Sequence, residues 1–386
     1  MRIAVAPNAF RGSLTATEAT NAIIDGLRQS RLRDVDTIAM PLADGGDGTL
    51  EILLAGLGGE RLTATVTGPM NAPVQATMGL LADGKTAVIE MARASGVELV
   101  PRSERSPLAA TSYGTGELIL AGLQRGYQHF VIGLGGSATV DGGAGCVQAL
   151  GAALLDSSGQ NIPHNGVGLE KLNRIDLSLL DPRLSDATFT ALCDVTNLLL
   201  GSHGAARIFG PQKGASPADV EILERNLAHF AEIIQRDLKR DVTTIVSGGA
   251  AGGLGAGLAA FLNATLAPGG ATLIALLGYD KQLAEVDLVI TGEGKLDMQT
   301  AGGKAVQTIA EAAHQRNIPV IALAGTLEAD RTALAAMGIQ AAWSIVPGPC
   351  SLDEALIHGA EWLTRTASEV GNLLALPFVN NPGSIR

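Results

Sequence analysis

The chain is poor in several things that would have assigned it quickly. Aromatic residues make up only 3% of its 386 residues, so no pair of rings stands out as a stacking platform for a base. Basic residues are outnumbered: 27 Lys and Arg against 38 Asp and Glu leave a formal net charge of −11, which argues against a nucleic-acid-binding surface. The three cysteines, Cys146, Cys193 and Cys350, lie far apart without C-x-x-C spacing. That is the pattern of free thiols in a reducing compartment. The six histidines form no i, i+4 pair and no metal-ligand spacing.

Charge is absent altogether from Val242 to Tyr279, where Gly253 to Gly257 even reads G-x-x-x-G. A membrane span is one reading of this stretch. It is nevertheless rich in Gly and Ala, is interrupted by Asn263 and Pro268-Gly269-Gly270, and lacks basic flanks. A buried glycine-rich turn followed by a core helix is therefore expected, with no membrane partner. The N-terminal MRIAVAPNAF carries too short an apolar run for a signal peptide and reads as a first strand. A cytoplasmic protein is the expectation.

What is present is ample apolar material, 46% of the chain, enough for two domains. A recurring phrase of strand, glycine-rich turn and helix argues for α/β architecture with a mostly parallel sheet. RIAVAP leads through NAFRGS to a helix, where Thr15 and Glu18 have capping-box spacing and Ala19, Ile23 and Leu27 mark one face. HFVI, DLVI and PVIALAGT repeat the phrase further on. The middle differs. VQATMGLL, Ala82-Asp83-Gly84 and KTAVIEMA read as an antiparallel hairpin, and Ser216-Pro217 opens a long amphipathic helix. With no linker in view, the middle is expected to be inserted into a domain built from both chain ends.

Two motifs mislead. Gly79 to Thr86 matches the P-loop text G-x-x-x-x-G-K-[ST]. A P-loop must open a helix, whereas Asp83-Gly84 is a hairpin-turn dipeptide and the following TAVIEM alternates as a strand does. Gly133-Leu-Gly135-Gly-Ser-Ala138, with Asp156 downstream, likewise fits a dinucleotide fingerprint. Its loop runs on through Thr139-Val140-Asp141 into a second glycine pair. That arrangement suits a cradle for an anionic ligand. Acidic, glycine-rich turns recur in PLADGGDG, CDVTN and TGEGKLD, and VSGGAAGGLGAG supplies further glycines. Each acidic residue alone reads as a cap or turn residue. In open α/β sheets ligands lie outside the carboxyl ends of strands, where these loops fall.

At these loops the chain resembles the type I glycerate kinases over essentially its whole length. VAPNAFRGSL, PLADGGDGT, DGKTAVIEMARASG, YGTGEL, GLGGSATVDGGAG, ALGAALLD, CDVTN, FGPQKGA, AAGGLGAGLAAFL and LVITGEGKLDMQTAGGK carry the resemblance. It implies an ATP-dependent kinase acting on D-glycerate, most often at the 2-hydroxyl to give 2-phosphoglycerate. It also implies a flavodoxin-like α/β domain carrying a second, mixed-sheet domain inserted in it. On that basis residues 1–65 and 285–386 are expected to form the first domain and residues 66–284 the second. Many members have Asp-Ser-Phe-Lys where this chain has Asn8-Ala9-Phe10-Arg11. The change argues against an essential metal or base role at residue 8, and bears on the choice of acid substrate.

Phosphoryl transfer needs amide-lined turns, a few cations and carboxylates for Mg²⁺. Asp194 is the first candidate to accept the proton of the attacking hydroxyl, with Asp141 second. Lys295, Arg11 and Lys213 are candidate cations for the substrate carboxylate or the transferring phosphate. Gly135, Gly136, Ser137, Thr139, Gly142, Gly143, Gly252 and Gly253 are candidate phosphate- or substrate-binding positions. Asp44, Asp47, Glu293 and Asp297 compete for the metal. Transfer to the 3-hydroxyl, a related small hydroxy acid, a nicotinamide-dependent dehydrogenase and a non-catalytic ligand-binding protein are the alternatives. The oligomeric state is open, with a homo-oligomer among the possibilities.

Overall fold

The strand–helix phrase materialises from the first residues. In the computed structural model, which describes residues 1–297 and 305–377, RIAVAP forms a strand whose Ile3, Ala4, Val5 and Ala6 have no solvent contact. The helix Ala16–Gln29 follows. Thr15 accepts from the Glu18 amide while Glu18 bonds back to the Thr15 amide, closing the capping box, a device worth about 1 kcal/mol. Ala19, Ile23 and Leu27 are fully buried on its inner face.

In chain order the strands are β1 (Arg2–Pro7), β2 (Asp36–Ala39), β3 (Gly59–Thr67), β4 (Pro73–Leu81), β5 (Thr86–Glu90), β6 (His129–Gly133) and β7 (Ala153–Leu155). They continue with β8 (Arg174–Asp176), β9 (Thr188–Leu192), β10 (Thr265–Ala267), β11 (Leu288–Leu296), β12 (Val320–Leu327) and β13 (Ala341–Ser344). The chain divides into two compact units, one made of Met1–Ala43 with the residues from Ile274 onward, the other of Asp44–Leu273.

The first unit holds a five-stranded sheet ordered β13-β12-β11-β1-β2 with every pair parallel. Read from its other edge this is the 2-1-3-4-5 order of doubly wound flavodoxin-like sheets, which reverses between β1 and β11. The second unit holds a six-stranded sheet, β10-β9-β6-β5-β4-β3. Its β10, β9, β6 and β5 run parallel, while β4 and β3 are antiparallel. This is the α/β protein with one parallel and one mixed sheet that the sequence pattern led one to expect. Phe130 and Phe189 stack across β6 and β9 with ring centroids 5.2 Å apart, both within the second unit's core.

Two ambiguous stretches resolve on local chemistry. The P-loop text is the β4–β5 hairpin: Asp83 accepts from the Lys85 and Thr86 amides and from the Thr86 hydroxyl. No helix opens there. The charge-free stretch forms a buried glycine turn and the helix Leu254–Leu262. Among the described residues no helix is long and apolar enough to cross a membrane. The three cysteines are free thiols, Cys146 and Cys193 buried and Cys350 exposed.

Candidate active site

In the second unit, parallel strands deliver their loops to one end of the sheet. The turn after β2 passes directly over the ends of β6 and β9. A Cβ on Gly133 would lie 2.4 Å from the Gly45 carbonyl oxygen, and one on Gly45 would lie 2.7 Å from the Leu192 side chain. The Gly135 amide donates to the Gly45 carbonyl at 3.3 Å. Asp194, just beyond β9, accepts from the Gly269 amide at 2.7 Å, and Gly269 in turn packs on the Asp44 backbone. Asp44 accepts from the Gly46 amide at 3.1 Å. So Asp44, Asp194 and the Gly133–Thr139 turn, distant in sequence, meet at one place. Asp44 and Asp194 are half-buried and Asp47 is exposed.

The glycine-rich loop is held from inside. Asp141 is fully buried and accepts from the Ser112 amide (2.8 Å), the Ser112 hydroxyl (2.7 Å), the Gly143 amide (3.1 Å) and the Gly145 amide (3.3 Å). Burial pushes its carboxyl pKa up, against the pull of these four donors. A general base must reach the proton it removes, and Asp141 is enclosed by its own loop. In this arrangement Asp141 fastens the loop. Lys213 is only 4% exposed and donates to the Ser137 hydroxyl and the Thr139 carbonyl, each at 2.7 Å. Burial pushes its pKa down to about 7, opposed by the charge of Asp141.

The glycines themselves divide. Gly142, Gly143, Gly252 and Gly253, also expected at the phosphate or substrate, are buried. They let two loops pack backbone to backbone. A Cβ on Gly252, whose φ is +67°, would lie 1.9 Å from the Thr139 carbonyl oxygen. Thr139 is buried too, its hydroxyl donating to the Ala251 carbonyl at 3.3 Å. What remains open of the preceding turn is Gly136, between the half-buried Gly135 and Ser137, which is 8% exposed. Gly136 is exposed with φ +74°. Among the described residues, neither its amide nor that of Ser137 meets a protein acceptor.

A cleft of about 460 Å³ borders this turn, lined among others by Asp47, Arg93, Gly96 and Gly136. It brings in two residues to which the sequence reading gave no role. Glu90, 1% exposed, accepts from the Leu50 amide at 3.0 Å and from Arg93 Nε at 2.7 Å. It thereby ties the first turn of the helix Thr49–Leu57, next to Asp47, to the wall of the cleft. Their signal was a carboxylate and a guanidinium three residues apart directly after an apolar strand, in EMAR.

The first unit gathers the other candidates around β1 and β11, where its strand order reverses. The Asn8 amide donates to the Gly292 carbonyl at 2.8 Å, and Gly294 packs on the backbone of Phe10 and Arg11. Arg11 is exposed and Glu293, on β11, is 7% exposed. Lys295 pairs with Glu328 at 2.9 Å and Asp297 at 3.4 Å. Those two carboxylates, Glu328 first, raise its pKa. The rest of the TGEGKLD motif block, residues 298–304, lies outside the described residues. Among the described residues no group of three or more His, Cys, Asp or Glu side chains is placed to hold a metal ion.

Asp156 has no place in this arrangement. It accepts from Ser158 and Gln160 in a surface turn after β7. The helix after the fingerprint begins only at Ala144, so the dinucleotide reading loses both its helix and its acid.

Open amides, carboxylates and cations at the carboxyl ends of parallel strands define an α/β protein of the kind that holds small anionic substrates. Comparison with known proteins makes this specific. Residues 3–375 match the model of the glycerate kinase family. The chain is 46% identical to the glycerate 2-kinase of Escherichia coli K12, over 98% of this chain and all of that one. It is 44% identical to the glycerate kinase of Bacillus subtilis 168, over 97% and 98%. A crystal structure described as that of a glycerate kinase 2 from Salmonella typhimurium LT2 superposes with a TM-score of 0.85 at 46% identity, covering 97% of this chain and 98% of that one. The chain belongs to the glycerate kinase family.

Proposed function

We propose that the protein transfers the γ-phosphoryl group of ATP to the 2-hydroxyl of D-glycerate, giving 2-phosphoglycerate and ADP. The observation that carries this reading is the full-length likeness to the E. coli glycerate 2-kinase. The chemistry of the loops is compatible with it. Such transfer depends mainly on positioning and on stabilising charge at the phosphate oxygens. Asp194, its orientation fixed by the Gly269 amide, accepts the proton of the attacking hydroxyl. The turn at Gly136 in the second unit and, separately, Arg11 in the first are the candidates to receive oxyanions. Lys295, paired with two carboxylates, is a supporting cation. The domain bounds expected from the sequence, 1–65 with 285–386 and 66–284, belong to the same proposal, beside the compact unit Asp44–Leu273.

Asp44, Asp47, Glu293 and Asp297 are oxygen donors, the ligand type Mg²⁺ prefers. Mg²⁺ bound with ATP would neutralise part of the phosphate charge; Asp44 and Asp47 of the second unit, and separately Glu293 and Asp297 of the first, are the competing candidates to hold it.

The test is a phosphorus NMR spectrum of products after incubation with Mg-ATP and D-glycerate. A 2-phosphoglycerate resonance is expected. A 3-phosphoglycerate resonance would overturn the regiochemistry alone, and ATP left intact would overturn the kinase reading. Asp194→Asn is expected to lower kcat about 10²–10⁴-fold with little change in either KM.

A further inference from the structure

Burying a lysine without a carboxylate in contact is costly, so the position of Lys213 needs a cause. Its ammonium spends two of its three donors on one short segment, the Ser137 hydroxyl and the Thr139 carbonyl. A hydroxyl that accepts from an ammonium has its own O–H left to donate. On the same turn the Gly136 and Ser137 amides meet no protein acceptor among the described residues. Two amides and one hydroxyl on one turn, with a cation directly behind, have the composition of an oxyanion receptor.

We propose that Lys213 is a positioning residue of this receptor: it touches no ligand, but holds the Gly136–Ser137 turn and lends its charge through Ser137 Oγ to a substrate oxyanion. The inference rests on the kinase reading, which supplies two such oxyanions, a nucleotide phosphate and the carboxylate of the hydroxy acid. A chain of hydrogen bonds in a poorly solvated setting transmits polarisation along its length. Removing the ammonium proton would therefore weaken a ligand it does not contact.

The surrounding charges leave Lys213 as the group that titrates here. Asp141, on the same loop, is the charge whose field reaches it. Arg105, whose backbone packs on Gly214, directs its guanidinium to the Val100 carbonyl and Glu98. Arg207, on the preceding helix Ala205–Phe209, pairs with Glu221. With Lys213 held near 7 by burial, the receptor is charged below that pH and neutral above it. A bound oxyanion favours the charged form.

Initial-rate kinetics from pH 6 to 9 on the full chain test this, with Lys213→Gln and Ser137→Ala beside the wild type and far-UV circular dichroism to verify folding. In the wild type, one KM rises above pH 7 by up to tenfold per unit. If it is the KM for Mg-ATP the oxyanion is a phosphate; if it is that for D-glycerate, a carboxylate. Lys213→Gln retains two N–H donors, and is expected to raise that KM about tenfold at pH 6.5 and flatten its pH profile. It also supplies the background for the titration of ATP itself. Ser137→Ala raises the same KM and flattens the same profile, so a misfolded Lys213→Gln still leaves a decisive variant. Persistence of the wild-type pH profile in a folded variant, or two flat profiles in the wild type, overturns the proposal. A wild type inactive with both substrates would overturn the kinase reading first. Sulfate, which does not titrate in this range, then serves as the probe in calorimetry: tighter binding at pH 6.5 than at 8.5 in the wild type, lost in the variants, supports the receptor, and equal binding refutes it.

Discussion

Replacing Asp141 by Asn changes one atom in the core of the candidate site, and its cost can be worked out from the bonds already described. Three donors converge on Oδ2, from the Ser112 amide, the Ser112 hydroxyl and the Gly145 amide, and one on Oδ1, from the Gly143 amide. The single oxygen of Asn can keep the three. Its NH₂ then faces the Gly143 N–H, leaving two donors opposed in a fully buried place. One charge-assisted bond lost and one donor stranded come to about 2–4 kcal/mol. Asp141→Ala strands all four donors and is expected to cost more. Urea unfolding followed by far-UV circular dichroism is the assay. Tryptophan fluorescence alone would mislead, because Trp343 and Trp362 both belong to the other unit. A loss below about 0.5 kcal/mol, with turnover unchanged, would refute both the bond accounting and the assignment of Asp141 to holding the loop.

Other outcomes follow from individual contacts. Gly252→Ala forces a Cβ toward the Thr139 carbonyl at a positive φ, and should cost at least about 2 kcal/mol with a clear fall in Tm. Lys213→Met should remove a pH dependence of stability. The folded-state pKa of about 7 lies below the ordinary value of 10.5, so the unfolded chain binds the extra proton between them. Wild-type stability therefore rises with pH across that window, by at most about 1.4 kcal/mol per unit, and falls back as pH drops to 7. A slope that persists in Lys213→Met, measured by chemical unfolding at a series of pH values, would contradict this. Lys85→Ala should leave the KM for ATP within twofold, because Lys85 sits in an exposed hairpin turn. A loss of orders of magnitude would revive the P-loop reading.

The sequence revealed secondary structure best where a local device enforces it. The Thr15–Glu18 box, the Ser216-Pro217 helix start and the Asp83 turn are each visible in a few consecutive residues, and all form. Strand–helix alternation likewise disclosed a parallel sheet. The roles of the glycines were not legible, because bare backbone can face a ligand or another backbone. Only the partner distinguishes Gly136, which is exposed, from Gly252, which lies against Thr139. The burial of Asp141 and Lys213 was hidden for a related reason: a charged residue in a glycine-rich motif reads as exposed until its packing is known. Glu90 and Arg93 passed unnoticed because their partners, Leu50 and the cleft wall, come from elsewhere in the chain.

The pairing of β1 has a consequence for synthesis. β1 lies next to the centre of its sheet, and its partner β11 follows some 285 residues later. At ordinary translation rates that interval is roughly 15–60 s. Through all of it β1 and β2 can satisfy only one side of their ladder, and the other side is an unpaired edge of the kind that recruits foreign strands. The whole Asp44–Leu273 unit is completed in the meantime. Assembly of the first unit is therefore a late, long-range closure, and the nascent chain is most vulnerable to aggregation at β1 and β2.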